Sequence, residues 1–310
     1  MILGDLAPTQ LRRRLAGPGL SLRTGPVVTR IRSSIDAVVQ GLAIHYGAFQ
    51  VEPDEAFADF HVEVRRAAGL RGWLKPQVVF RFDGEEPFAP LPGPQGFPML
   101  EWGLNWCIYT YCHQFVTLHS AVLERDGRAL LMPAPSGSGK STLCAGLAFS
   151  GWRLLSDELT VLDPRAGDIV PVPRPISLKN QSIEVIRAFA PQAQFSPAVP
   201  DTIKGLVAHA RPPQDAVDRA GARAQPRWIV LPRFRAGEPA QLTPLPRAQV
   251  FMQLVENTFN YSIHGPAAFA ALAALMDRCD CYSFTYSRLE EAVTVFDRLA
   301  ADARSDATRR

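Results

Sequence analysis

With 310 residues, 47% of them hydrophobic and 20% charged, the chain can build one or two domains with real cores, which excludes a stapled mini-protein and wholesale disorder. A formal net charge of +3, from 33 basic and 30 acidic side chains, is too slight to point to nucleic acid or an anionic membrane as partner. No stretch approaches the roughly 18 apolar residues of a membrane-spanning helix, and no basic region precedes an apolar core at the N-terminus, so the expected location is cytoplasmic. The five cysteines, Cys107, Cys112, Cys144, Cys279 and Cys281, show no secreted-scaffold spacing and are expected as buried thiols. Neither Cys279-Asp280-Cys281 nor Cys107 to His113 has a second pair at zinc-site spacing.

Along the chain, Val27 to Ile31, Phe60 to Val64 and Val78 to Phe82 read as strands, with Ser34 to Tyr46 as a helix between the first two. Prolines 87, 90, 92, 94 and 98 crowd a dozen residues, which predicts a loop and places a domain boundary near residue 98. Leu100 to Phe115 is apolar and aromatic, as a buried helix would be. Val116 to Glu124 and Arg128 to Met132 flank Asp126-Gly127, a dipeptide suited to positive φ, and predict a hairpin. A helix from Ser141 to Ser150 follows, ended by Gly151, and then strands Trp152 to Leu155 and Leu159 to Leu162.

Arg174 to Arg187 reads as a loop and then a helix, and Trp228 to Leu231 as a short core strand. Helices are expected over Val250 to Phe259, Ala267 to Met276 and Leu289 to Leu299, with a strand at Tyr282 to Tyr286 and a frayed end from Ala300. The division expected is an N-terminal α+β region over 1–98, suited to substrate or partner binding, a catalytic domain over 99–302 and a flexible tail over 303–310.

Between the hairpin and the following helix lies Ala134-Pro135-Ser136-Gly137-Ser138-Gly139-Lys140-Ser141-Thr142. An apolar strand leads into it and a helix leaves it, the setting of a phosphate-binding loop. Gly137 and Gly139 permit a backbone whose N–H groups converge on phosphate oxygens, and the helix N-terminus adds positive partial charge. Lys140 supplies a full charge for β and γ phosphates, and Ser141 a hydroxyl for Mg²⁺. Pro135, Ser136, Ser138 and Thr142 complete the nucleotide contact set. Ala134 stands where a first glycine is usual, and costs little if its φ is negative. Asp157 and Glu158 follow a core strand, where such enzymes hold a metal ligand and a base. A solvated acidic turn is the bland alternative for this pair. His119, Lys179, Lys204 and Arg174 say little alone.

The run from Leu118 to Leu162 resembles the catalytic domain of HPr kinase/phosphorylase. His119, Lys140 and the pair Asp157-Glu158 keep that family's order and gaps. Glu101 to Trp106, Arg174 to Asn180, Asp201 to Gly205 and Asn257 to Tyr261 look like its branch called HprK-related kinase A. The resemblance implies an α/β P-loop kinase core of the HPr kinase/PEP carboxykinase type, with a helical C-terminal part. It implies Asp157 as the base activating a serine hydroxyl, His119 as its orienting partner, Glu158 and Ser141 as Mg²⁺ ligands, and Lys204 beside the nucleotide. It also implies a homo-oligomer. Glu158 stands in place of a second aspartate and Thr142 in place of a frequent glutamate, and the N-terminal region does not look like the family's, so HPr itself is not expected as the acceptor.

The expectation is an ATP- and Mg²⁺-dependent kinase acting on a hydroxyl, with a small protein or peptide as acceptor and neither nucleic acid nor membrane as partner. A nucleotide-sensing module without chemistry and a small-molecule kinase are the rival readings.

Overall fold

The computed structural model describes residues 1–68 and 76–308, with side chains described as far as residue 305. Its first layer is a five-stranded sheet in the order β1 (Leu20–Thr24), β2 (Val27–Ser33), β3 (Phe60–Arg66), β4 (Gln77–Phe82), β5 (Leu91–Pro92). Alternation along β3 sends Phe60, Val62 and Val64 inward and leaves His61 outside. Helix α1 (Pro8–Ala16) packs on β2, while α2 (Asp36–His45) carries the chain from β2 to its parallel neighbour β3.

The proline-rich segment, expected as a loop, is more regular than that. Leu91–Pro92 pairs with β4, and helix α3 (Gly96–Tyr111) starts two residues before Pro98. Proline is tolerated there because the first helical turn has no intrahelical use for its N–H. Gly103 lies flat on the Phe80 ring and Gly41 on Phe97, so α3 sits against both β4 and α2. Leu100, Leu104, Cys107 and Ile108 of α3 share one apolar cluster with Phe80, Val62 and also Leu159 and Val161.

The central sheet has β6 (Val116–Arg125) at its heart. Strand β7 (Arg128–Pro133) pairs on one side, and β8 (Arg153–Ser156) and β9 (Leu159–Leu162) on the other. The expected Asp126-Gly127 turn joins β6 to β7 with φ of 53° and 77°. Beyond β9 lies β10 (Ile169–Val170). Beyond β7 come β14 (Gln225–Phe234), β16 (Asp280–Tyr286) and β15 (Gln241–Pro244). Strands β7, β14 and β16 are mutually parallel, so Pro133, Phe234 and Tyr286 end on one rim.

Helices α4 (Lys140–Phe149) and α10 (Leu289–Thr308) cover one face through Leu143, Leu147 and Phe296. The other face is covered by α7 (Arg247–Glu256) and α9 (Pro266–Arg278) through Leu254 and Leu272. Helix α10 runs on past Leu299 to Thr308 and buries Ala300 and Ala303. Residues 309 and 310, the end of the expected tail, lie outside the described residues.

A small third sheet, β11 (Ile176–Lys179), β13 (Gly205–Ala210) and β12 (Val199–Thr202), packs on α4. The remaining short helices are α5 (Gln181–Phe189), α6 (Gln214–Asp218) and α8 (Tyr261–His264). The five cysteines are free and buried, and no described helix is long and apolar enough to cross a membrane.

Between the paired strands β6 and β8, Glu124 and Arg153 form an ion pair in which each side chain is only 2% exposed, joined by Arg219 from the surface. Burial pushes the Glu124 pKa up, but hydrogen bonds from Arg153 and the Gly127 N–H hold it below the ordinary 4.5. Removing one partner strands the other charge, so Glu124→Ala should cost about 3–5 kcal/mol in urea unfolding. Arg12→Ala, which breaks an exposed pair with Asp36, should cost under about 1 kcal/mol. Because the folded pKa of Glu124 is depressed, its stabilisation holds above pH 4.5 and fades as pH falls through the lowered value.

Candidate functional site

The glycine-rich loop leaves the end of β7 at the rim shared with β14 and β16. Ala134, in the first-glycine position, is 3% exposed and is not among the described residues of positive φ, so the smaller residue is not needed there. Gly137 and Gly139 do take positive φ, 85° and 88°. The Gly139 carbonyl accepts hydrogen bonds from Tyr286 Oη at 2.7 Å and from the Leu143 N–H at 3.0 Å, and the Ser138 carbonyl accepts from the Phe234 N–H at 2.9 Å. The loop is thereby tied to the carboxyl ends of β14 and β16. Pro135, Ser136 and Gly137 are exposed, whereas Ser138, Gly139, Ser141 and Thr142 are half-buried. Gly139 caps α4, whose first N–H groups have no intrahelical acceptor. The result is a glycine-rich turn at a helix N-terminus, a setting that suits an oxyanion.

Lys140, the first residue of α4, is only 6% exposed, and its ammonium lies 2.9 Å from His119 Nε2. Burial lowers the Lys140 pKa, while the Asp157 and Glu158 charges oppose the shift. Burial and the Lys140 charge together push His119 down to about 4, so near neutral pH the ring is uncharged and Nε2 accepts from the ammonium. The resemblance had paired His119 with Asp157. Here the histidine's hydrogen bond goes to Lys140, and the Asp157 hydrogen bond to the backbone of β11.

The acid pair reaches this side through β6. Ser120 pairs with Pro133 just before the loop, and on its other edge β6 pairs Val122 with Ser156 and His119 with Leu159. That register sets Asp157 and Glu158 across from Ala121 and Ser120, a strand's width from the loop entrance. Asp157 is 4% exposed. Its Oδ2 accepts the Ser177 N–H at 3.1 Å, and its Oδ1 is buried with no hydrogen-bond partner. Burial, then the Glu158 charge, raises its pKa above 3.8. For Glu158 burial pushes upward too, but Lys204, Lys179 and Lys140 bring it down to about 2, with Lys179 Nζ at 3.5 Å. Two adjacent carboxylates are driven apart, one poised to take a proton and one kept ionised.

Lys204 sits on the β12–β13 turn with its ammonium 5.8 Å from the centre of the Trp102 ring. Gln95 Nε2 donates to the Asp201 carbonyl, and Asn180, at φ 52°, holds the turn through Leu206 N–H and the Lys204 carbonyl. A second support is the turn at Asn257 to Asn260. It caps the free edge of β6: the Asn257 carbonyl accepts from His119 N–H at 2.7 Å, and Asn260 Oδ1 accepts from Thr117 N–H. The structure thus brings together Gly139, Lys140, His119, Asp157, Glu158 and Lys204. Tyr286, Phe234 and Ser177 were not singled out from the sequence, where only the position of Tyr286 at the end of a core strand could have signalled it.

No protein-family model matches the chain, and no curated protein matches it. Among solved structures, the Hpr(Ser) kinase/phosphatase from Coxiella burnetii matches with a TM-score of 0.27 and 12% sequence identity, over 60% of this chain and 98% of that one.

A Cβ on Gly139 would stand 2.5 Å from Tyr286 Oη and 2.9 Å from Phe234 Cβ, whereas one on Gly137 would meet nothing within 4 Å. Gly137→Ala therefore adds only backbone strain, about 1–2 kcal/mol. Gly139→Ala adds a clash against two strand ends. In urea unfolding, Gly139→Ala should therefore cost at least roughly 1.4 kcal/mol more than Gly137→Ala, and equal costs would contradict the packing of the loop on Tyr286 and Phe234.

Proposed function

We propose that the chain is an ATP- and Mg²⁺-dependent kinase that transfers the γ-phosphoryl group to a hydroxyl, with a serine of a small protein or peptide as acceptor. The observation that carries this reading is Asp157. It is a buried carboxylate with one oxygen fixed by Ser177 N–H and the other free, its pKa raised, beside an ionised Glu158 and the buried Lys140 of a glycine-rich loop.

In this reading Asp157 Oδ1 accepts the proton of the acceptor hydroxyl. The freed oxygen forms its bond to the γ-phosphorus as the bond to the β–γ bridging oxygen breaks, and the electron pair leaves with ADP. The loop amides and the Lys140 ammonium hold the phosphate oxygens. Uncharged His119 is the acceptor on which that ammonium rests until phosphate takes its place.

Among the described residues no group of three or more His, Cys, Asp or Glu gathers as a metal cage. Mg²⁺ does not require one, since it takes one or two carboxylates together with substrate phosphates and water. Ionised Glu158 and the Ser141 hydroxyl would hold it, and when bound it neutralises charge on the β and γ oxygens.

In an assay with labelled ATP, Asp157→Asn should lower kcat by about 10²–10⁴ with ATP affinity kept within a few-fold, the range for a lost general base. Lys140→Ala should lose ATP binding itself. Transfer that survives both changes contradicts the mechanism. The pH profile adds a separate check. The base works only when ionised, and its pKa is raised, so kcat/KM should fall as pH drops through a midpoint above 3.8. A midpoint at or below that value removes Asp157 as the base.

A further inference from the structure

The rim that carries the glycine-rich loop has two sides. Across the sheet β8 pairs with β6, β6 with β7 and β7 with β14, so Asp157, Glu158 and His119 lie on one side of the loop and Phe234 on the other. Three strand spacings separate β8 from β14, about 14 Å. Lys140, bonded to His119, marks the first side as the reacting end. A nucleotide that also spans the loop has the β14 side left for its nucleoside.

Phe234 closes β14 there, and it is 50% exposed. A single exposed aromatic is ordinary, so its anchorage and position are what matter. Trp228 and Val230 lie in the apolar cluster beneath α4, and alternation along β14 sends Phe234 to that same face, where α4 begins. Its N–H donates to the Ser138 carbonyl at 2.9 Å, and its ring meets the Tyr286 ring edge-on with centroids 5.8 Å apart. Tyr286 is in turn stacked on buried Phe284, centroids 5.5 Å apart, and bonded to the Gly139 carbonyl. The Phe234 ring is thus held by fixed neighbours while part of its surface stays open, so stacking a planar group on it orders little else.

The surrounding polar groups are turned elsewhere. The N–H groups of Phe234 and Arg235 go to the Ser138 and Tyr286 carbonyls, and the Arg235 carbonyl accepts from the Glu238 N–H at 3.2 Å. The Arg235 guanidinium pairs with Glu238 at 3.3 Å, and Ser287 Oγ donates to the Glu238 carbonyl at 2.6 Å. The turn after β14 closes on itself, and what it leaves for a ligand is an aromatic face.

We propose that Phe234 is the nucleobase platform of the kinase reading above, on which it rests, and that it holds the base by its face alone. Every nucleobase has a π-face, so such a platform takes adenine and guanine nucleotides alike.

The test is calorimetry on the full chain with Mg²⁺ and three probes: ATP, GTP and inorganic tripolyphosphate, which has the phosphates and no base. Phe234→Ala removes the ring but keeps the Cβ that packs against Gly139 and the N–H on Ser138. The wild-type chain should bind ATP and GTP within about fivefold of each other, and Phe234→Ala should weaken both by at least about tenfold while tripolyphosphate moves less than about twofold. A smaller loss of ATP affinity overturns the platform. So does an equal loss for tripolyphosphate, which makes the ring a support of the loop, or a wild-type preference for ATP over GTP beyond about fivefold, which requires contacts to the base edge. Wild-type binding of tripolyphosphate separates the two ideas. If tripolyphosphate binds and the variant leaves ATP unmoved, the platform alone falls; if neither tripolyphosphate nor ATP binds, the kinase reading falls and the platform with it.

Discussion

Burying the Lys140 ammonium carries a desolvation cost of several kcal/mol unless opposite charge and hydrogen bonds offset it, and the surroundings of the loop are arranged around that requirement. His119 Nε2 takes one of its protons, and Asp157 and Glu158 supply the negative field. The price falls on the neighbours: His119 is kept from protonating, and Asp157 keeps a buried oxygen without a full hydrogen bond, with the Cys144 thiol beside the carboxylate. In the proposed kinase reading, a polyphosphate on the loop is the stronger partner for which Lys140 exchanges His119.

The scaffold makes this arrangement rigid from two directions. From the central sheet, Tyr286 and Phe234 hold Gly139 and Ser138 at the ends of parallel strands, the place where open α/β sheets present ligands. From the N-terminal layer, α3 brings Glu101 and Trp102 to the wall beside Asp157, and Gln95 steadies the turn that carries Lys204. Residues 1–98 therefore support the site from behind its walls, through Tyr46 of α2 on Glu101 and Gln95 on the Asp201 carbonyl.

What could be read from the sequence was local. The Asp126-Gly127 turn, the strand leading into the loop, the helix leaving it and the acids after β8 each rest on neighbouring residues, and all four stand where their pattern put them. The small sheet was not legible, because β11 and β12 are four residues each and Pro173 and Pro175 lie just before β11. The helical start at Gly96 was hidden by prolines that mark loops elsewhere. The partner of His119 could not be derived from spacing, since strand register and the α4 N-terminus decide it together. The wall beside Asp157 joins Trp102, Ser177 and His209, far apart in sequence, so no pattern along the chain could announce it.

The most direct test is a structure of the full chain with a non-hydrolysable ATP analogue and Mg²⁺. The expected result is phosphates on the amides of Gly137 and Gly139, the Lys140 ammonium moved from His119 Nε2 to a phosphate oxygen, and the Asp157 carboxylate facing the γ-phosphorus. A nucleotide bound elsewhere, or a Lys140 ammonium still resting on His119 beside a bound nucleotide, would contradict it.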